Sequence, residues 1–509
     1  MSLTPTTDAL ELPDEIAHDG LLVGWSLEQE HRRNPIGFTF GPTANKPASE
    51  GYLDPILMER EGHLMTIAPT GAGKGTACIV PALLRCAGPV IAIDPKGENA
   101  LITARRRREL GHEVAVIDPM GVTGMDCAGL NPMDIIDPDS PTLVDDAMAL
   151  ISAMAPTDMG VSNGDGRFWQ ERGETLVLGV MLHVLCDMPP QRRNLLTVRD
   201  LVNQAVSELS VYTAAAERPD QSALAGTVLA ALETSRSPEA RNIGRMLRIG
   251  ALTTLGGILS VSQSVIDVVR SGAIAPAVRE TTFDLQKVVR GDPLSIYLVL
   301  PPYMMDSHGR ILRLWVHTLI TLIASRNAAP AKPTLFILDE AAQLGPFDAL
   351  RRAITLMRGY GLQTWSFWQD PSQLRFLYPN DWQTMINNCR GVQCFGANTM
   401  LAARAMAEIV GYEPAEQLLD LEDNEMLLQL SGDMPVLARL PNYRSDPAFD
   451  GLYDANPFHD TTRPVQRPSP KPVTRVFNRP AEAPARKSET AAEVVQRLKR
   501  ASGVDETPA

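Results

Sequence analysis

The sequence has no stretch that is both long enough and apolar enough to cross a membrane. Its longest run without a charged residue, 249–266, is interrupted by glycines, threonines, serines and a glutamine, so it is too polar to span lipid. The more apolar run at 314–325 has only 12 residues and predicts a buried helix. The first residues are acidic and lack the apolar core of a secretory signal. We therefore expect a cytoplasmic protein.

Cysteine is scarce and irregularly spaced. The 509 residues include six cysteines, and none of them forms a CxxC pair or the spacing of a metal site. We expect reduced, mostly buried thiols, which excludes a disulfide framework and a cysteine-bound zinc. The cysteines stand at positions 78, 86, 127, 186, 389 and 394.

Basic residues are fewer than acidic ones. The chain has 47 lysines and arginines against 60 aspartates and glutamates, which gives a net charge of −13. This balance argues against broad, nonspecific coating of nucleic acid. It does not exclude DNA, because a ring or channel can confine its basic residues to an inner surface. A hydrophobic content of 44% and a charged content of 21% are ordinary for a soluble protein, here with room for two or three domains.

What the sequence does contain is a glycine-rich turn at 68–76, Ala-Pro-Thr-Gly-Ala-Gly-Lys-Gly-Thr. An apolar run at 64–68 leads into it and small residues follow, which predicts a strand, a turn and a helix. Such a turn aims several backbone N–H groups at one point, where a polyphosphate binds. Lys74 adds a positive charge for the β- and γ-phosphates. The predicted nucleotide contacts are Thr70, Gly71, Ala72, Gly73, Lys74, Gly75 and Thr76.

Two positions depart from the usual phosphate-loop pattern. Ala68 replaces the first glycine, which is a small change. Gly75 stands where a serine or threonine normally offers its hydroxyl to Mg²⁺. Thr76 carries such a hydroxyl, although one helical step rotates it by about 100°. The predicted cofactors are ATP and Mg²⁺, and Thr76 is the candidate metal ligand within the turn.

A second signal lies far downstream, where an apolar run of strand length at 334–338 ends in Asp339 and Glu340. In nucleotide hydrolases of this class the first carboxylate holds Mg²⁺ through water, and the second polarises the attacking water. Paired carboxylates also cap helices, but a cap alone does not explain the apolar strand before them. We expect the glycine-rich turn and the acidic pair to converge on adjacent strands of one sheet.

Other polar residues also follow predicted strands. Gln369 ends a strand that we place beside the one carrying Asp339, where it can sense the γ-phosphate, although most glutamines at strand ends only bond the backbone. Asp94, Lys96 and Glu98 follow an earlier strand. Ligands bind at the carboxyl ends of strands in open parallel sheets, so these residues are expected near the nucleotide, with an Asp-Pro turn as the equally good alternative.

Alternating strand and helix patterns predict an α/β fold, namely a RecA-like P-loop NTPase core with a mostly parallel sheet and an inserted all-α domain. Strand patterns stop near residue 134 and return at 294, and helical spacing fills the interval. The predicted parts are an irregular N-terminal segment at 1–55, the core at 56–136 and 276–450, the helical insertion at 137–275, and a Pro-rich basic tail at 451–509 that is disordered apart from a short terminal helix.

Short motifs at 69–75, 94–98, 130–133, 282–285, 295–302, 338–345, 358–363 and 369–373 follow one another in a fixed order. This ordered set resembles the coupling ATPases of type IV secretion and bacterial conjugation (TraG/TraD-like), and the resemblance covers about residues 60 to 445. Members of that family often carry a glycine after the loop lysine, as Gly75 does here. The resemblance implies a hexameric ring with ATP sites between subunits. ATP hydrolysis would drive single-stranded DNA or a DNA–protein complex toward a secretion channel.

The same resemblance implies a role for each site residue. Lys74 and Thr76 match the phosphate loop, Asp339 and Glu340 match the metal and water positions, and Gln369 matches the sensing motif.

The resemblance also matches Arg358 to the arginine that reaches a neighbouring subunit's nucleotide. From the residues alone, Arg358 fits nearly as well as a cation at the end of a helix before Gly359. Family members usually carry two N-terminal membrane helices, which this sequence does not show. A membrane-anchor protein would then recruit it to the inner membrane, or it works as a soluble member of the family.

Two other interpretations remain open. The turn at 69–76 also resembles the loop of nucleoside monophosphate kinases, although the late acidic pair and the large helical insertion argue against that small family. The second interpretation is a non-translocating adaptor, which binds ATP only to assemble and to recruit protein substrates. ATPase rates with and without single-stranded DNA would separate this adaptor from a motor.

Overall fold

One mixed sheet of 12 strands crosses the part of the chain that the computed structural model describes, residues 11–17, 19–26, 38–40, 53–59, 61–156, 164–214, 227–249, 252–456 and 458. Its strand order is β2-β3-β1-β12-β11-β10-β4-β9-β8-β5-β7-β6. The strands are β1 Leu21–Ser26, β2 Phe38–Phe40, β3 Pro55–Met58, β4 His63–Ile67, β5 Val90–Ile93, β6 Glu113–Ile117, β7 Leu294–Leu298, β8 Thr334–Leu338, β9 Leu362–Trp368, β10 Cys389–Cys394, β11 Glu425–Leu430 and β12 Val436–Arg439.

The strands from β10 to β6 in this order form a parallel half. Five of them, β4, β5, β7, β8 and β9, are buried along their whole length. Parallel strands that read as continuous apolar runs need helices on both faces of the sheet. The predicted α/β fold with a mostly parallel sheet is confirmed, and the carboxyl ends of these strands share one edge.

The remaining strands form an antiparallel half, in which β1 pairs with β3 and β12, β2 pairs with β3, and β11 pairs with β10 and β12. The prediction that 1–55 is irregular is therefore wrong where the structure describes it, since β1 is fully buried and Trp25 has no exposed surface. The reason is that β1 is short and buried on both faces, so it lacks the alternation that marks a half-exposed strand.

Helices of the core cover the parallel half. A π-helical turn, Gly75–Ile79, follows β4 after the glycine-rich turn and continues into the first α-helix. The helices of the core are α1 Val80–Arg85, α2 Glu98–Glu109, α11 Pro302–Ala324, α12 Asp348–Leu356, α13 Pro371–Leu377, α14 Trp382–Asn387 and α15 Met400–Val410.

Between β6 and β7 the described residues form helices and no strand. The helices are α3 Leu143–Met154, α4 Gly164–Asp187, α5 Leu195–Ala214, α6 Val228–Glu233, α7 Pro238–Ile249, α8 Leu252–Ile266, α9 Ile274–Arg279 and α10 Leu285–Arg290. One of them, α5, is continuous over 20 residues. The described residues all lie within one compact unit, Glu11–Ser469, so the division into separate domains stays a prediction.

Two of these helices pack closely through small residues. A side chain at Gly173 of α4 would collide with Val261 of α8, and one at Gly257 of α8 would collide with Trp169 of α4. In the described part of the chain, no helix is both long and apolar enough to cross a membrane. The predicted terminal helix and most of the predicted basic tail, 459–509, lie outside the described residues.

Candidate nucleotide-binding site

The glycine-rich turn leaves the carboxyl end of β4 and leads into the π-helical turn at Gly75–Ile79. Gly71 and Gly73 have φ angles of 84° and 92°, a backbone conformation that residues other than glycine rarely adopt. A Cβ atom placed on either glycine would meet no atom within 4 Å. These glycines are therefore required by the backbone conformation, and the space in front of them is open to a ligand.

Lys74 lies folded back over this turn. Its Nζ donates a hydrogen bond to the carbonyl oxygen of Ala68 at 2.9 Å and a longer one to that of Pro69 at 3.4 Å. The same Nζ lies 3.9 Å from Oε1 of Glu340. The lysine of the turn and the distant acidic pair therefore lie together in the structure, as the sequence analysis predicts.

The route by which they meet differs from the expectation. The prediction that the turn and the acidic pair stand on adjacent strands is wrong, because β9 lies between β4 and β8 and pairs in parallel with both. Motif spacing along the chain does not report the order of strands, since a later strand can insert between two earlier ones. Gln369 follows this central strand, so it lies beside the strand of Asp339 as predicted.

Glu340 adopts a left-handed backbone conformation, with φ of 55°. It is the one non-glycine residue with positive φ in the described part of the chain. Its Oε2 accepts a hydrogen bond from Nε2 of Gln369 at 2.7 Å, and the backbone N–H of Gln369 donates to Oε1 of Gln373 at 3.0 Å. Backbone strain of this kind concentrates at functional sites. The result is a carboxylate held between a lysine and an amide.

Asp339 is joined by a second carboxylate at the same level of the sheet. Ala92 of β5 pairs with Ile337 of β8, so two residues later Asp94 and Asp339 stand side by side. Parallel neighbours lie about 4.8 Å apart across a sheet. Burial raises the pKa of Asp339 to about 6, to which the charge of Glu340 contributes, while Lys74 opposes the rise.

Asp94 is almost fully buried and also binds the start of α2. Its Oδ2 accepts a hydrogen bond from the backbone N–H of Ala100 at 2.8 Å. Burial raises the pKa of Asp94 to about 7, and the nearby charges of Asp339 and Glu98 act in the same direction. The charge of Lys96, an exposed lysine 4.0 Å from Glu98, in turn lowers the pKa of Asp339. Asp94 and Lys96 therefore act electrostatically on the acidic pair, and the nearness of this motif to a bound nucleotide stays a prediction.

The candidate metal ligands suit a nucleotide-bound Mg²⁺. Asp339 offers carboxylate oxygens, and the hydroxyl of partly buried Thr76 has no hydrogen-bond partner among the residues described. Within that same part of the chain, no group of three His, Cys, Asp or Glu side chains is placed to hold a metal ion. Mg²⁺ is usually bound by one or two protein groups together with phosphates and water, which fits this donor set.

Two residues that the sequence analysis did not single out support the turn. Gly396 follows β10 with φ of 72°, and a Cβ atom there would lie 2.7 Å from that of Ala72. Gln393 of β10 accepts a hydrogen bond from Thr66 at 2.6 Å, and Thr66 accepts one from the indole of Trp365 at 2.8 Å. These bonds tie β4 to both of its neighbours. A glycine just past a predicted strand was the available signal for Gly396.

Arg358 lies at the opposite edge of the sheet. It is exposed in a 3-10 turn, Arg358–Tyr360, which precedes β9. The seven residues of β9 separate this turn from Gln369 by about 23 Å, at about 3.3 Å per residue. Such a distance is far beyond the reach of an arginine side chain. The structure therefore does not bring Arg358 into the site of its own chain.

The family follows from a direct comparison. Residues 30–419 match the model of the family described as type IV secretory system conjugative DNA transfer. The chain belongs to this family. The expected resemblance is thereby confirmed over most of the chain.

Curated relatives agree with this assignment. The chain is 25% identical over 367 residues to the conjugal transfer protein TraG of Escherichia coli, an alignment that covers 69% of this chain and 55% of the relative. It is 23% identical over 317 residues to the type IV secretion system-coupling protein VirD4 of Bartonella quintana (strain Toulouse), covering 61% and 47%. The chain thus spans about half the length of these relatives.

Solved structures show the same fold. The plasmid coupling protein TrwB in complex with the non-hydrolysable ATP analogue ADPNP superposes with a TM-score of 0.54 at 16% identity, covering 75% of this chain and 84% of that chain. TrwB in complex with ADP and Mg²⁺ gives a TM-score of 0.51 at 17% identity with the same coverage. At this identity the likeness establishes the fold class predicted from the sequence.

Proposed function

We propose that this protein binds ATP and Mg²⁺ at the carboxyl edge of β4, β9 and β8 and hydrolyses the ATP. The energy would drive DNA, single-stranded or joined to a protein, toward a type IV secretion channel. One observation carries the proposal, namely the meeting of Lys74, Glu340 and Gln369 at 3.9 and 2.7 Å in front of an open glycine-rich turn. Family membership and the ligands named for the TrwB structures support it.

The phosphate side of the site follows from the turn. The space beside the Cα atoms of Gly71 and Gly73 is open, and backbone N–H groups of the turn would hold the phosphates there, as at other helix N-termini. Lys74 would exchange its bond to the Ala68 carbonyl for the β- and γ-phosphates. Asp339 would hold Mg²⁺ through water, together with the hydroxyl of Thr76. Bound Mg²⁺ neutralises phosphate charge.

The hydrolytic step is assigned to Glu340. A water would attack the γ-phosphorus and give its proton to the Glu340 carboxylate, while the bond from phosphorus to the β-phosphate oxygen breaks and ADP leaves. Gln369 donates to Glu340 before nucleotide binds and can turn to the γ-phosphate afterwards. The amide would then report the presence of the γ-phosphate to the start of α13, through Gln373.

Arg358 completes the site only from another subunit, since it lies at the far edge of its own sheet. A hexameric ring of copies of this chain would place each Arg358 at the nucleotide of a neighbouring subunit. An arginine supplied in this way can contribute about 10³–10⁵-fold to hydrolysis. We further propose that the ring works in the cytoplasm at the inner membrane, held there by a membrane-anchor or channel protein.

The test is ATP hydrolysis by the purified chain with and without single-stranded DNA, together with ATP binding. We expect hydrolysis that DNA stimulates. The K74A variant should lose both binding and hydrolysis at unchanged stability, whereas K332A, an exposed lysine of another loop, should behave as the parent protein. Full activity in K74A would refute the site. ATP binding without DNA-stimulated hydrolysis would point to the adaptor, and phosphate transfer to a nucleoside monophosphate would point to the kinase.

A further inference from the structure

A cavity of about 520 Å³ lies between helices that follow β6 and helices of the core. Its lining comes from the end of α3, from α4, from the middle of α11, from the start of α12 and from the connection between α13 and α14. The residues predicted to contact the nucleotide are not among the described residues that line it. Small-molecule sites usually have a volume of roughly 300–1,000 Å³ and a few polar groups. The cavity is therefore a candidate site in addition to the one at the glycine-rich turn.

His317 of α11 is a buried polar residue in this lining. It is 8% exposed, and its ring nitrogens form no hydrogen bond within the described part of the chain. Buried polar groups are nearly always hydrogen-bonded, so an unsatisfied imidazole that lines a cavity indicates a site for a polar ligand. Burial lowers the pKa of His317 to about 4, and the charges of Arg352 and Arg313 act in the same direction. The ring is therefore neutral at pH 7 and can donate one N–H to a ligand.

Two arginines line the cavity close to this histidine. Arg313 stands one helical turn before His317 on α11, and its guanidinium lies 5.6 Å from the centre of the Phe347 ring. Arg352 of α12 is exposed and forms no hydrogen bond or ion pair among the residues that the structure describes. We call Arg313, His317 and Arg352 the basic wall. Both arginines carry guanidinium groups, which bind oxyanions through charge-assisted hydrogen bonds.

Three carboxylates also line the cavity, but they contact other groups. Arg351 binds the carboxylates of Asp348 at 3.3 Å and of Asp381 at 3.8 Å. Glu174 of α4 accepts a hydrogen bond from Gln170 at 3.1 Å. The two ion pairs use Arg351 and leave the neighbouring Arg352 for an anion from solution.

The start of α12 adds backbone donors to the lining. No side chain caps this nine-residue helix, and the backbone N–H groups of Asp348 and Ala349 form no hydrogen bond within the described residues. An uncapped helix N-terminus favours an oxyanion. Apolar surface from Pro346, Leu377 and Pro379 lines the same cavity. This combination of donors, positive charge and apolar surface fits an oxyanion that carries an organic part.

We infer that this cavity binds a small phosphorylated organic molecule, with its phosphate at the basic wall and at the start of α12. A phosphate monoester carries almost two negative charges at pH 7 and has three acceptor oxygens. It therefore matches guanidinium, imidazole and backbone N–H donors better than a single carboxylate does. The organic part would lie against the apolar part of the lining. The inference goes beyond the function proposed above and does not depend on it.

The experiment measures binding of AMP to the full chain by equilibrium dialysis. AMP carries one phosphate on an organic part, and it lacks the β- and γ-phosphates that the glycine-rich turn would hold. We expect saturable binding of one AMP per chain and no binding of adenosine, which has the same organic part without the phosphate. Citrate, a carboxylate of similar charge, should not displace AMP at equal concentration.

Two variants locate the bound AMP. R352A removes a charged donor and should weaken AMP binding by about tenfold or more, and H317L removes the imidazole donor and should weaken it by about threefold to tenfold. H317L should not lower the Tm, because leucine leaves no buried polar group unsatisfied. The matched control is R404A, which changes an exposed arginine of α15 and should bind AMP as the parent protein does.

The K74A variant separates this cavity from the proposed ATP site. K74A should bind AMP as the parent protein does, whereas R352A should keep its ATP binding. Loss of AMP binding in K74A would place AMP at the glycine-rich turn and overturn the inference. A parent protein that binds no AMP, equal binding of adenosine, displacement by citrate, or normal AMP binding by both R352A and H317L would also overturn it. A parent protein that binds AMP but not ATP would contradict the function proposed above and leave this inference intact.

Discussion

The two halves of the sheet differ in the groups that surround a buried aspartate. In the antiparallel half, the carboxylate of Asp446 accepts hydrogen bonds from the indole of Trp25 at 2.9 Å, the backbone of Asn442 at 2.8 Å and the guanidinium of Arg439 at 3.1 Å. In the parallel half, Asp339 has another carboxylate, Glu340, beside it. Burial raises the pKa of both aspartates, but the charge of Arg439 opposes the rise at Asp446, whereas the charge of Glu340 adds to it at Asp339.

This difference shows where the molecule favours stability and where it favours chemistry. A buried carboxylate with a full set of donors holds a fold together, and it has no capacity left for a ligand. A crowded acidic pair destabilises the empty site and becomes favourable only when cations arrive, which is the usual compromise at an active site. We therefore expect the parallel half to govern turnover and the antiparallel half to govern folding.

The largest effect should come from E340Q. The substitution keeps the shape of the side chain but removes the base, so ATP turnover should fall by about 10²–10⁴-fold. ATP binding should remain, since Lys74 and the glycine turn are unchanged. Turnover and nucleotide affinity are measured on the same preparation, and E416Q, which changes an exposed glutamate, serves as the control. Unchanged turnover in E340Q would remove Glu340 from its role.

The antiparallel half should give the opposite result. D446A leaves Arg439 buried without its partner, which should lower the free energy of unfolding by about 3–5 kcal/mol. Turnover per folded molecule should stay the same, because the side-chain hydrogen bonds of Asp446 to Trp25, Arg439 and Asn442 do not involve a residue of the proposed nucleotide site. Urea denaturation and ATPase rates check both parts, with D420A as an exposed control. A D446A variant that folds but hydrolyses ATP poorly would contradict the expectation that the antiparallel half governs folding and not turnover.

A smaller effect, of opposite sign, should follow from D339N. The folded pKa of Asp339 is about 6 and its unfolded value is 3.8, so the folded state binds this proton more tightly. Stability is therefore lost as the pH rises between these two values. At pH 7, D339N should be more stable than the parent protein without nucleotide by about 2 kcal/mol.

The pH dependence supplies the control for that prediction. Below the unfolded pKa of 3.8 both states are protonated, so the advantage of D339N should shrink steadily from pH 6 toward pH 4. Urea denaturation at pH 7 and pH 4.5 measures the difference. An advantage that grows at the lower pH would contradict the assignment of a raised pKa.

The smallest predicted effect concerns the support of the phosphate loop. G396A adds a Cβ atom that collides with Ala72, so the loop must shift and ATP affinity should weaken by about 1–2 kcal/mol. G411A is the matched control, because Gly411 also has a positive φ but faces open space. Equilibrium binding of ATP compares the two. Equal affinities would show that Gly396 does not position the loop.

The sequence predicts the parallel half well and the antiparallel half poorly. The glycine turn and the acidic pair are local patterns, and each requires particular residues at fixed spacing, so Lys74, Glu340 and Gln369 could be singled out in advance. The order of strands depends on long-range pairing, which is why the insertion of β9 between β4 and β8 was missed. The strands β1, β11 and β12 are short and nearly all buried, so they carry no alternating pattern.

The most direct measurement is a structure of the protein with ADPNP and Mg²⁺. We predict that the phosphates lie in front of Gly71 and Gly73, that Nζ of Lys74 leaves the Ala68 carbonyl to bind them, and that Gln369 and Glu340 face the γ-phosphate. A nucleotide bound elsewhere, or a Lys74 that still donates to Ala68 beside bound phosphates, would contradict the claim that these three strands form one triphosphate site.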